Sequence, residues 1–388
     1  MEISACVKYV GVNDHQVDLF EGQYKVPNGM SYNSYVILDD KIAIMDTVDG
    51  FFTEEWLNNV EQVLDGKMPD YLVIQHMEPD HSASIPAFLK KYPKVTVVST
   101  AKGFQFMEQF FPEFFAGQGL PAEQRIVAAN DGVLELGQHS LHFVYAPMVH
   151  WPEVMMTYEA TEKILFAADG FGKFGALDAE EEWADEARRY YIAIVGKYGP
   201  QVQAVLKKAA GLDIQTICSL HGPVLKENLG FYLEKYDRWS SYQPEESGVV
   251  IAYASVYGNT RNAAEYLADV LQEKGQKTVL YDLARCDKAK AVADAFRYDR
   301  LVLAGITYNG DLFPCMRSFI EGLTERNYQN RKVAIIENGT WAPMAGKLIL
   351  GMFEKSKNLT FTETTVSIKS AMNEQNKGEI GKLAEELC

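Results

Sequence analysis

Cysteine is scarce in this sequence, and the few residues present are scattered. Cys6, Cys218, Cys286, Cys315 and Cys388 are odd in number, and no two of them form a C-x-x-C pair. This pattern argues against a disulfide framework and against an iron–sulfur or rubredoxin-type thiolate site in this chain. Because free thiols suit a reducing compartment, we expect a cytoplasmic protein.

Long apolar runs and an excess of basic residues are also missing. Residues 1–5 contain no basic region followed by an apolar segment, and no later stretch has the length and apolar character of a membrane span. The net charge of −16 at pH 7 argues against nucleic acid and against an anionic membrane surface as partners. We therefore expect no secretion, no membrane insertion and no nucleic-acid binding.

The length and composition favour two globular domains. A chain of 388 residues is too long for one ordinary core, and its 47% hydrophobic and 23% charged residues are typical of a protein that buries substantial cores. Residues 240–248 are polar, acidic and contain a proline, which is typical of a linker. We predict one domain over residues 1–242 and another over residues 248–388.

The first of these regions has mixed α and β signals. Short strand patterns, the last two joined by the turn Asp39-Asp40, predict tight antiparallel pairing at residues 3–9, 34–38 and 41–45. Helical and strand patterns then alternate, with predicted elements at residues 51–64, 71–75, 82–91 and 95–99. Residues 179–210 are charged and predicted to be helical, and we expect their buried face to contain Trp183, Ala187, Tyr190, Tyr191 and Ile194.

The densest group of chemically active side chains follows the predicted strand at residues 71–75. Two imidazoles and two carboxylates lie within six positions, namely His76, Glu78, Asp80 and His81. A mixed nitrogen and oxygen ligand set without a nearby thiolate points to iron, manganese or zinc. The alternative is a polar loop leading into a helix capped by Ser82 or Ser84, and both interpretations can hold together.

Three further candidate metal ligands stand at the ends of apolar, strand-like runs. His150, Asp169 and His221 each close or follow such a run, and a glycine-rich loop comes directly after Asp169. Taken singly, each could be an ordinary loop residue or a turn cap. His139 and His142 lie in a segment of alternating character, and we assign both to structural roles.

The second region begins with a pattern typical of a phosphate site. A buried-type strand over residues 248–254 leads into a turn rich in hydroxyl groups and then into an amphipathic helix. Backbone N–H groups and the helix dipole would face an anion there. Because the turn contains no Lys or Arg and matches neither the Walker nor the Rossmann glycine pattern, a nucleoside triphosphate or NAD is disfavoured. The alternative is a capped turn without a ligand.

Two later strands of this region end in loops that should flank the same ligand. The predicted strands cover residues 300–305 and 332–337. In an open parallel sheet, ligands collect beyond the carboxyl ends of the strands, at the point where the strand order reverses. Trp341 in the second loop could therefore flank a planar ligand or simply pack within the protein.

These motifs resemble those of flavodiiron proteins. In that family the His-x-His-x-Asp-His signature of the metallo-β-lactamase superfamily has Glu in place of its second His, as at residues 76–81 here. Pro-Met-x-His-Trp-Pro, His-Gly-Pro and Ser-x-Tyr-Gly-Asn-Thr resemble further segments of the family and of flavodoxins, and they occupy residues 147–152, 221–223 and 255–260. Residues 338–343 depart from the commoner Gly-x-Trp-x-Gly-Glu form. The resemblance implies an α/β protein, with a metallo-β-lactamase-like αββα sandwich followed by a flavodoxin-like, doubly wound parallel sheet.

The resemblance also implies two cofactors and the residues that hold them. It assigns one iron ion to His76, Glu78 and His150, a second to Asp80, His81 and His221, and a bridging position to Asp169. It assigns FMN to three loops of the flavodoxin-like domain, made of Ser255, Val256, Tyr257, Gly258, Asn259, Thr260, Thr307, Tyr308, Asn309, Gly310, Asn338, Gly339, Thr340 and Trp341.

The activity that the resemblance implies is the reduction of O2 to water, of NO to N2O, or of both, by electrons that pass from FMN to the diiron site. It also implies a head-to-tail homodimer and an external donor such as rubredoxin or another reduced carrier. Two alternatives stay open: a di-zinc hydrolase with a flavodoxin domain, and a non-catalytic flavin electron carrier. Glu78 argues against zinc, and a degenerate carrier should lack ligands, whereas all seven positions are filled.

Overall fold

Short strands dominate the amino-terminal part of the chain. The structure is a computed structural model that describes residues 2–115 and 120–388. Its first strands are β1 (Val7–Tyr9), β2 (Val12–Asp14), β3 (Leu19–Phe20), β4 (Tyr24–Lys25), β5 (Met30–Tyr32), β6 (Tyr35–Ile37), β7 (Ala43–Met45), β8 (Tyr71–Val73), β9 (Thr96–Ser99), β10 (Arg125–Val127), β11 (Val133–Glu135), β12 (Ser140–Tyr145), β13 (Met155–Glu159), β14 (Ile164–Phe166) and β15 (Thr216–Cys218).

These strands form two main sheets that share one core. The strand order is β1-β6-β7-β8-β9-β10 in the first sheet and β11-β12-β13-β14-β15 in the second. The predicted antiparallel pair is confirmed as β6 and β7, whose register places Tyr35 opposite Met45. Apolar side chains of both sheets pack into a single cluster, which includes Val7, Ile37, Val73 and Val98 from the first sheet and Leu141, Phe143, Phe166 and Cys218 from the second.

Helices complete this αββα sandwich, whose predicted fold class is confirmed. They are α1 (Thr53–Leu64), α2 (Pro79–Ser82), α3 (Ile85–Lys91), α4 (Ala101–Phe110), α5 (Pro112–Phe115), α6 (Trp183–Tyr190), α7 (Gly199–Ala209) and α8 (Leu229–Ser240). Helix α1 buries Trp56, Val60 and Leu64, spaced four residues apart along one face, as an amphipathic helix must when it covers a sheet.

The prediction of helix throughout residues 179–210 is wrong at its start, and at its centre the helical chain departs from α geometry. Helix α6 begins only at Trp183, a wide turn at Tyr191–Val195 and a tight turn at Gly196–Tyr198 follow, and α7 then starts anew. Pro200 explains the restart, because proline lacks the N–H that would continue the ladder but is tolerated in the first turn of a helix. The predicted buried side chains are confirmed: Trp183, Ala187, Tyr190, Tyr191 and Ile194.

The carboxyl-terminal part alternates strands and helices. Its elements are β16 (Glu246–Tyr253), α9 (Asn259–Glu273), β17 (Thr278–Asp282), α10 (Lys288–Arg297), β18 (Tyr298–Tyr308), β19 (Asp311–Leu312), α11 (Pro314–Thr324), β20 (Arg331–Asn338), α12 (Ala345–Met352), β21 (Leu359–Ile368) and α13 (Glu374–Glu386). The parallel strands follow the order β17-β16-β18-β20-β21. This is the strand order of flavodoxin-like folds, so that prediction is confirmed.

One of the predicted loops is instead part of a strand. Strand β18 continues through Thr307 and Tyr308 and pairs with β19 in a tight hairpin. Asn309 and Gly310 form its turn with φ of 51° and 73°. Two consecutive positive φ values match the right-handed twist of a hairpin, and Asn-Gly adopts them at low cost.

The chain divides into two compact units. One comprises Met1–Tyr191 with Pro200–Tyr236, and the other comprises Ile192–Gly199 with Asp237–Cys388. Among the described residues, no helix has the length and apolar character needed to cross a membrane.

Candidate metal centre and cofactor pocket

Strand ends of the sandwich bring together the seven side chains that the sequence singled out as metal ligands. His76 follows β8, Asp169 follows β14 and His221 follows β15, while His150 lies in the connection from β12 to β13. The remaining three, Glu78, Asp80 and His81, lie at the start of α2 or within it. Neighbouring parallel strands end at one edge of a sheet, so residues far apart in sequence meet there.

The first group of side chains contains two imidazoles and two carboxylates. Potential ligand atoms of His76, Glu78, His150 and Asp169 all lie within 4.8 Å of one another. Glu78 Oε2 is 3.3 Å from His76 Nε2 and 3.0 Å from His150 Nε2. Asp169 Oδ2 is 3.3 Å from each of these two nitrogens. Four donor atoms therefore surround a common point.

The second group faces the other oxygen of Asp169. Asp80, His81 and His221 also place ligand atoms within 4.8 Å of one another. The Nε2 atoms of His81 and His221 are 3.0 Å apart. Asp169 Oδ1 is 3.4 Å from His81 Nε2 and 3.8 Å from His221 Nε2. One carboxylate thus presents one oxygen to each group, which is the arrangement of a bridging ligand.

Glycine permits this close approach. A side chain at Gly172 would meet the Asp169 carbonyl oxygen at 3.0 Å, a ring atom of Tyr190 at 3.3 Å and the His221 Cβ at 3.4 Å. The glycine-rich sequence after Asp169 therefore lets the loop turn back against the strand end that carries His221.

The donor atoms of the two groups fit a pair of cations. Among the described residues, both oxygens of Asp80, both oxygens of Asp169 and Nδ1 of His81 are buried without a hydrogen-bond partner. A buried carboxylate without partners is costly, and metal coordination removes that cost. Nitrogen and oxygen donors without a thiolate suit iron, manganese or zinc.

Electrostatics within the cluster support the same interpretation. Burial alone would lower the pKa of His76, but the charge of Asp169 and hydrogen bonds with Glu153 and Glu78 raise it well above its usual value. Burial alone would raise the pKa of Asp169, but the charge of His76 and the close imidazoles of His150 and His81 hold it well below its usual range. The Asp169 carboxylate therefore favours its charged form, which nearby positive charge stabilises.

Two partners that were not recognised from the sequence orient the imidazoles. Glu153 Oε1 accepts hydrogen bonds from His76 Nδ1 at 2.7 Å and from the Met77 N–H at 2.9 Å. His221 Nδ1 donates to the backbone oxygen of Ser31 at 2.7 Å. Each bond leaves Nε2 free to face the cluster, as in metal sites generally. The sequence contained a signal for Glu153. An acidic side chain that follows Trp151-Pro152 and precedes a buried strand is expected to need a hydrogen-bond partner.

Glu153→Gln should weaken metal binding in the first group. The amide keeps an acceptor oxygen but removes the charge that fixes the orientation and basicity of His76. We expect iron affinity to fall about 10–100-fold, as for other outer partners of ligand histidines. Equilibrium titration with Fe(II) measures this, with Glu135→Gln on the exposed face of β11 as the matched control. Equal affinities in the two variants would contradict a positioning role for Glu153.

Removal of the metal should make the folded protein less stable as the pH becomes alkaline. Burial lowers the pKa of His150, but the nearby Asp169 carboxylate and a hydrogen bond with Glu78 raise it overall from 6.5 to about 9. A histidine whose folded pKa is raised contributes stability that is complete below about pH 6.5 and is lost as pH rises through about 9. We expect the metal-stripped protein to lose on the order of 5 °C in melting temperature over this window.

Calorimetry of the stripped and iron-loaded forms, run in parallel from pH 6.5 to 9.5, tests this dependence. The loaded form should change less, because the cations replace the protons that the imidazoles otherwise carry. The same pH dependence in both forms would show that these histidines are not the titrating groups.

A cavity of about 520 Å³ opens at the carboxyl ends of β16, β18 and β20 in the second unit. Its volume falls within the range of pockets that hold small cofactors. All but one of the fourteen predicted cofactor-binding residues line it, and the exception, Gly258, lies within the same turn. Tyr257 and Trp341 are 93% and 90% exposed and could cover the two faces of a planar ring.

The turn between β16 and α9 has the geometry of an anion site. Gly258 stands at the N-cap of α9 with φ of 92°, a conformation that glycine adopts without strain. Its N–H donates to Ser255 Oγ at 3.1 Å, which holds the turn closed. The helix N-terminus therefore directs backbone N–H groups and a partial positive charge towards the cavity.

Four residues besides the fourteen assigned to FMN belong to the wall of this cavity. Ile306, Ala342, Met344 and Ser370 also line it. Ser370 N–H donates to Asn338 Oδ1 at 3.1 Å, and Asn338 Nδ2 donates to the Ser370 carbonyl at 2.9 Å. Ser370 comes from the loop after β21, so only the pairing of β21 with β20 brings it there.

Family models match both parts of the chain. The model described as "ODP family beta lactamase" matches residues 30–222, and a flavodoxin domain model matches residues 250–358. These two matches agree with the sandwich and with the parallel sheet described above.

Relatives and solved structures resemble the chain across both parts. Diflavin flavoprotein A 1 of Synechocystis sp. is 33% identical over 71% of this chain and 48% of its own length, so the chain spans about half of that relative. An anaerobic nitric oxide reductase flavorubredoxin of Vibrio vulnificus is 28% identical over 86% of this chain and 69% of its own. The crystal structure of the flavodiiron protein from Giardia intestinalis is 25% identical, with a TM-score of 0.86 over 100% of this chain and 96% of that one. With both domains matched and the histidine and carboxylate cluster in place, the chain belongs to the flavodiiron protein family.

Proposed function

We propose that this chain is an oxidoreductase that uses FMN to pass electrons to a non-haem diiron site and reduces O2 to water, NO to N2O, or both. The observation that carries the proposal is Asp169, whose two oxygens lie against two separate groups of imidazoles. A site for a single cation would have no use for the second group. The name of the Vibrio vulnificus relative supports NO as a substrate.

The residues proposed to hold the iron ions are those of the two groups. His76, Glu78 and His150 would bind one ion, Asp80, His81 and His221 the other, and Asp169 would bridge them. FMN would lie in the 520 Å³ cavity, with its phosphate at the start of α9 and its ring beside Trp341. When bound, FMN and the iron pair supply electrons and an open coordination position for a diatomic substrate.

The contribution of the chain's own residues is position and burial. Glu153 and the Ser31 carbonyl fix the tautomers of His76 and His221 and keep both Nε2 atoms turned inwards. His76, His81 and Asp169 are at most 1% exposed, so bulk water has little access to the ligand atoms. A buried, negatively charged donor set with these fixed orientations favours cations over protons.

The proposal extends to partners and location. We propose domains over residues 1–242 and 248–388, a head-to-tail homodimer, and a rubredoxin or another reduced carrier as the electron donor. The relative named flavorubredoxin supports a rubredoxin-type donor. The scattered cysteines support a cytoplasmic location.

Anaerobic stopped-flow spectroscopy tests the proposal. The iron-loaded, FMN-replete protein is fully reduced and then mixed separately with O2 and with NO. Fast flavin reoxidation by one gas identifies the preferred substrate. Reoxidation by both gases at the rate of free FMN would overturn the proposal. Metal analysis of the purified protein adds an independent check, since zinc in place of about two irons per chain would favour the hydrolase.

A further inference from the structure

A second group of ligand-type side chains lies elsewhere in the sandwich. One potential ligand atom from each of Cys6, His139 and Glu162 lies within 4.8 Å of the other two. Cys6 directly precedes β1, and its carbonyl accepts the Leu38 N–H at 2.9 Å. His139 directly precedes β12, and Glu162 lies in the turn between β13 and β14. The group therefore joins the edge strand of the first sheet to two turns of the second.

The surroundings of His139 are those of a ligand histidine. Its Nδ1 is 2.8 Å from Asp39 Oδ2, which also accepts the His139 backbone N–H at 2.7 Å. Nε2 is then directed towards Glu162 Oε1, at 3.5 Å. A carboxylate behind the imidazole fixes the tautomer in the same way as in carboxylate–histidine–zinc sites. Asp39 thus occupies the place that Glu153 takes behind His76.

The polar atoms of this group favour a bound cation. Glu162 Oε2 is buried without a hydrogen-bond partner among the described residues, although the residue lies near the surface. Three carboxylates lie close to His139, namely Asp39, Glu159 and Glu162.

This group is distinct from the metal centre described above. Glu162 lies before β14 and Asp169 lies after it, so the two clusters occupy opposite ends of the same strand. The three strand residues Ile164–Phe166 between them account for roughly 10 Å of separation. The chemistry differs as well, because the seven residues of the first site include no sulfur.

We propose that Cys6, His139 and Glu162 form an additional site for a thiophilic divalent cation of the Zn²⁺ class. Sulfur, nitrogen and oxygen donors together suit Zn²⁺, and three protein ligands leave a fourth position for water. A cation here clamps the amino-terminal edge strand onto the β11–β12 hairpin and the β13–β14 turn. His139 then has a ligand role in place of the purely structural one that the sequence suggested, and this role does not depend on the proposed activity.

Cobalt titration of the iron-loaded, FMN-replete protein tests the site. Co²⁺ replaces Zn²⁺ in such sites, and a Co²⁺–thiolate bond gives a near-ultraviolet charge-transfer band that nitrogen and oxygen ligands do not give. Cobalt difference spectra should show this band and saturate near one thiolate-bound Co²⁺ per chain, and added Zn²⁺ should remove it. Absence of the band in the wild-type protein would overturn the proposal.

Substitutions assign the band to this cluster. Cys6→Ser should abolish it, while Cys388→Ser, at an exposed cysteine, should leave it unchanged. Glu162→Gln should raise the Co²⁺ dissociation constant at least about tenfold, with Glu135→Gln as the matched control. Retained iron and FMN show that each variant is folded. A band that persists in Cys6→Ser would place the metal at another thiol and contradict the assignment.

Stability gives a second readout that does not use cobalt. Zn²⁺ at a hundredfold excess over its dissociation constant should stabilise the wild-type protein against unfolding, because it binds only the folded state. The melting temperature of Cys6→Ser should not respond to Zn²⁺ in this way. An equal response of both proteins would show that Zn²⁺ acts at some other position.

Discussion

Asp169→Asn is expected to lower the rate of flavin reoxidation by O2 or NO at least about 100-fold. This loss exceeds the one expected when a residue that only hydrogen-bonds to a metal ligand is changed. The carboxylate faces both halves of the metal centre, with one oxygen directed at each. Asparagine has nearly the same shape but carries no charge and offers only one good acceptor. One of the two metal positions then loses its oxygen ligand from residue 169. The imidazoles around this residue also lose the negative charge that they share.

Iron content and stopped-flow kinetics should be measured on the same preparation. Asp18→Asn is the matched control, because Asp18 is an exposed acidic residue of the same unit. FMN content should remain at the wild-type level, since Asp169 lies outside the unit that contains the flavin cavity. Wild-type kinetics in Asp169→Asn would remove the central observation on which the proposed function stands.

Gly258→Val is expected to weaken FMN binding about 10–100-fold, the equivalent of 1–3 kcal/mol of backbone strain. Gly258 has φ of 92°, and a Cβ there would meet no atom within 4 Å, so the change acts through the backbone alone. Valine is β-branched and disfavours positive φ strongly. The turn must therefore shift, and with it the N–H groups that face the phosphate at the start of α9.

The opposite end of the same helix offers a matched control. Gly275 has φ of 77°, and a Cβ at this position would likewise meet no atom within 4 Å. Gly275→Val should cost similar stability but leave FMN affinity unchanged, because it lies beyond the carboxyl end of α9. Fluorescence titration with FMN compares the two variants. Equal losses of affinity would indicate a general effect on the fold instead of a local phosphate site.

Much of the fold could be predicted because its signals are local. Trp56 and Val60 recur at the helical period, and the Asp39-Asp40 turn joins two short strands. The β16 strand and the turn after it were recognisable from a buried run followed by Ser255 and Gly258. The errors came where one residue changes the local pattern, as Pro200 does in the first turn of α7, or where a strand continues beyond its apolar run, as β18 does into its hairpin.

The candidate metal ligands could be recognised from the sequence for a related reason. Histidine and carboxylate side chains are conspicuous after apolar strands such as β8, β14 and β15, because the chain leaves the core at those points. Their supporting partners were less visible. Glu153 supports His76 from 77 positions away, and the Ser31 carbonyl supports His221 from 190 positions away. Such contacts depend on which strands become neighbours, and no short segment encodes that.

The sequence by itself determined which residues could bind cations and phosphate, and roughly which elements carry them. Those properties follow from side-chain chemistry and from periodicity along a few neighbouring residues. Only the tertiary structure decided that Asp169 faces two groups of histidines, and that Cys6 meets His139 and Glu162. The physical reason is that metal coordination requires atoms within a few ångströms of one another, and packing of the two sheets alone brings such distant positions together.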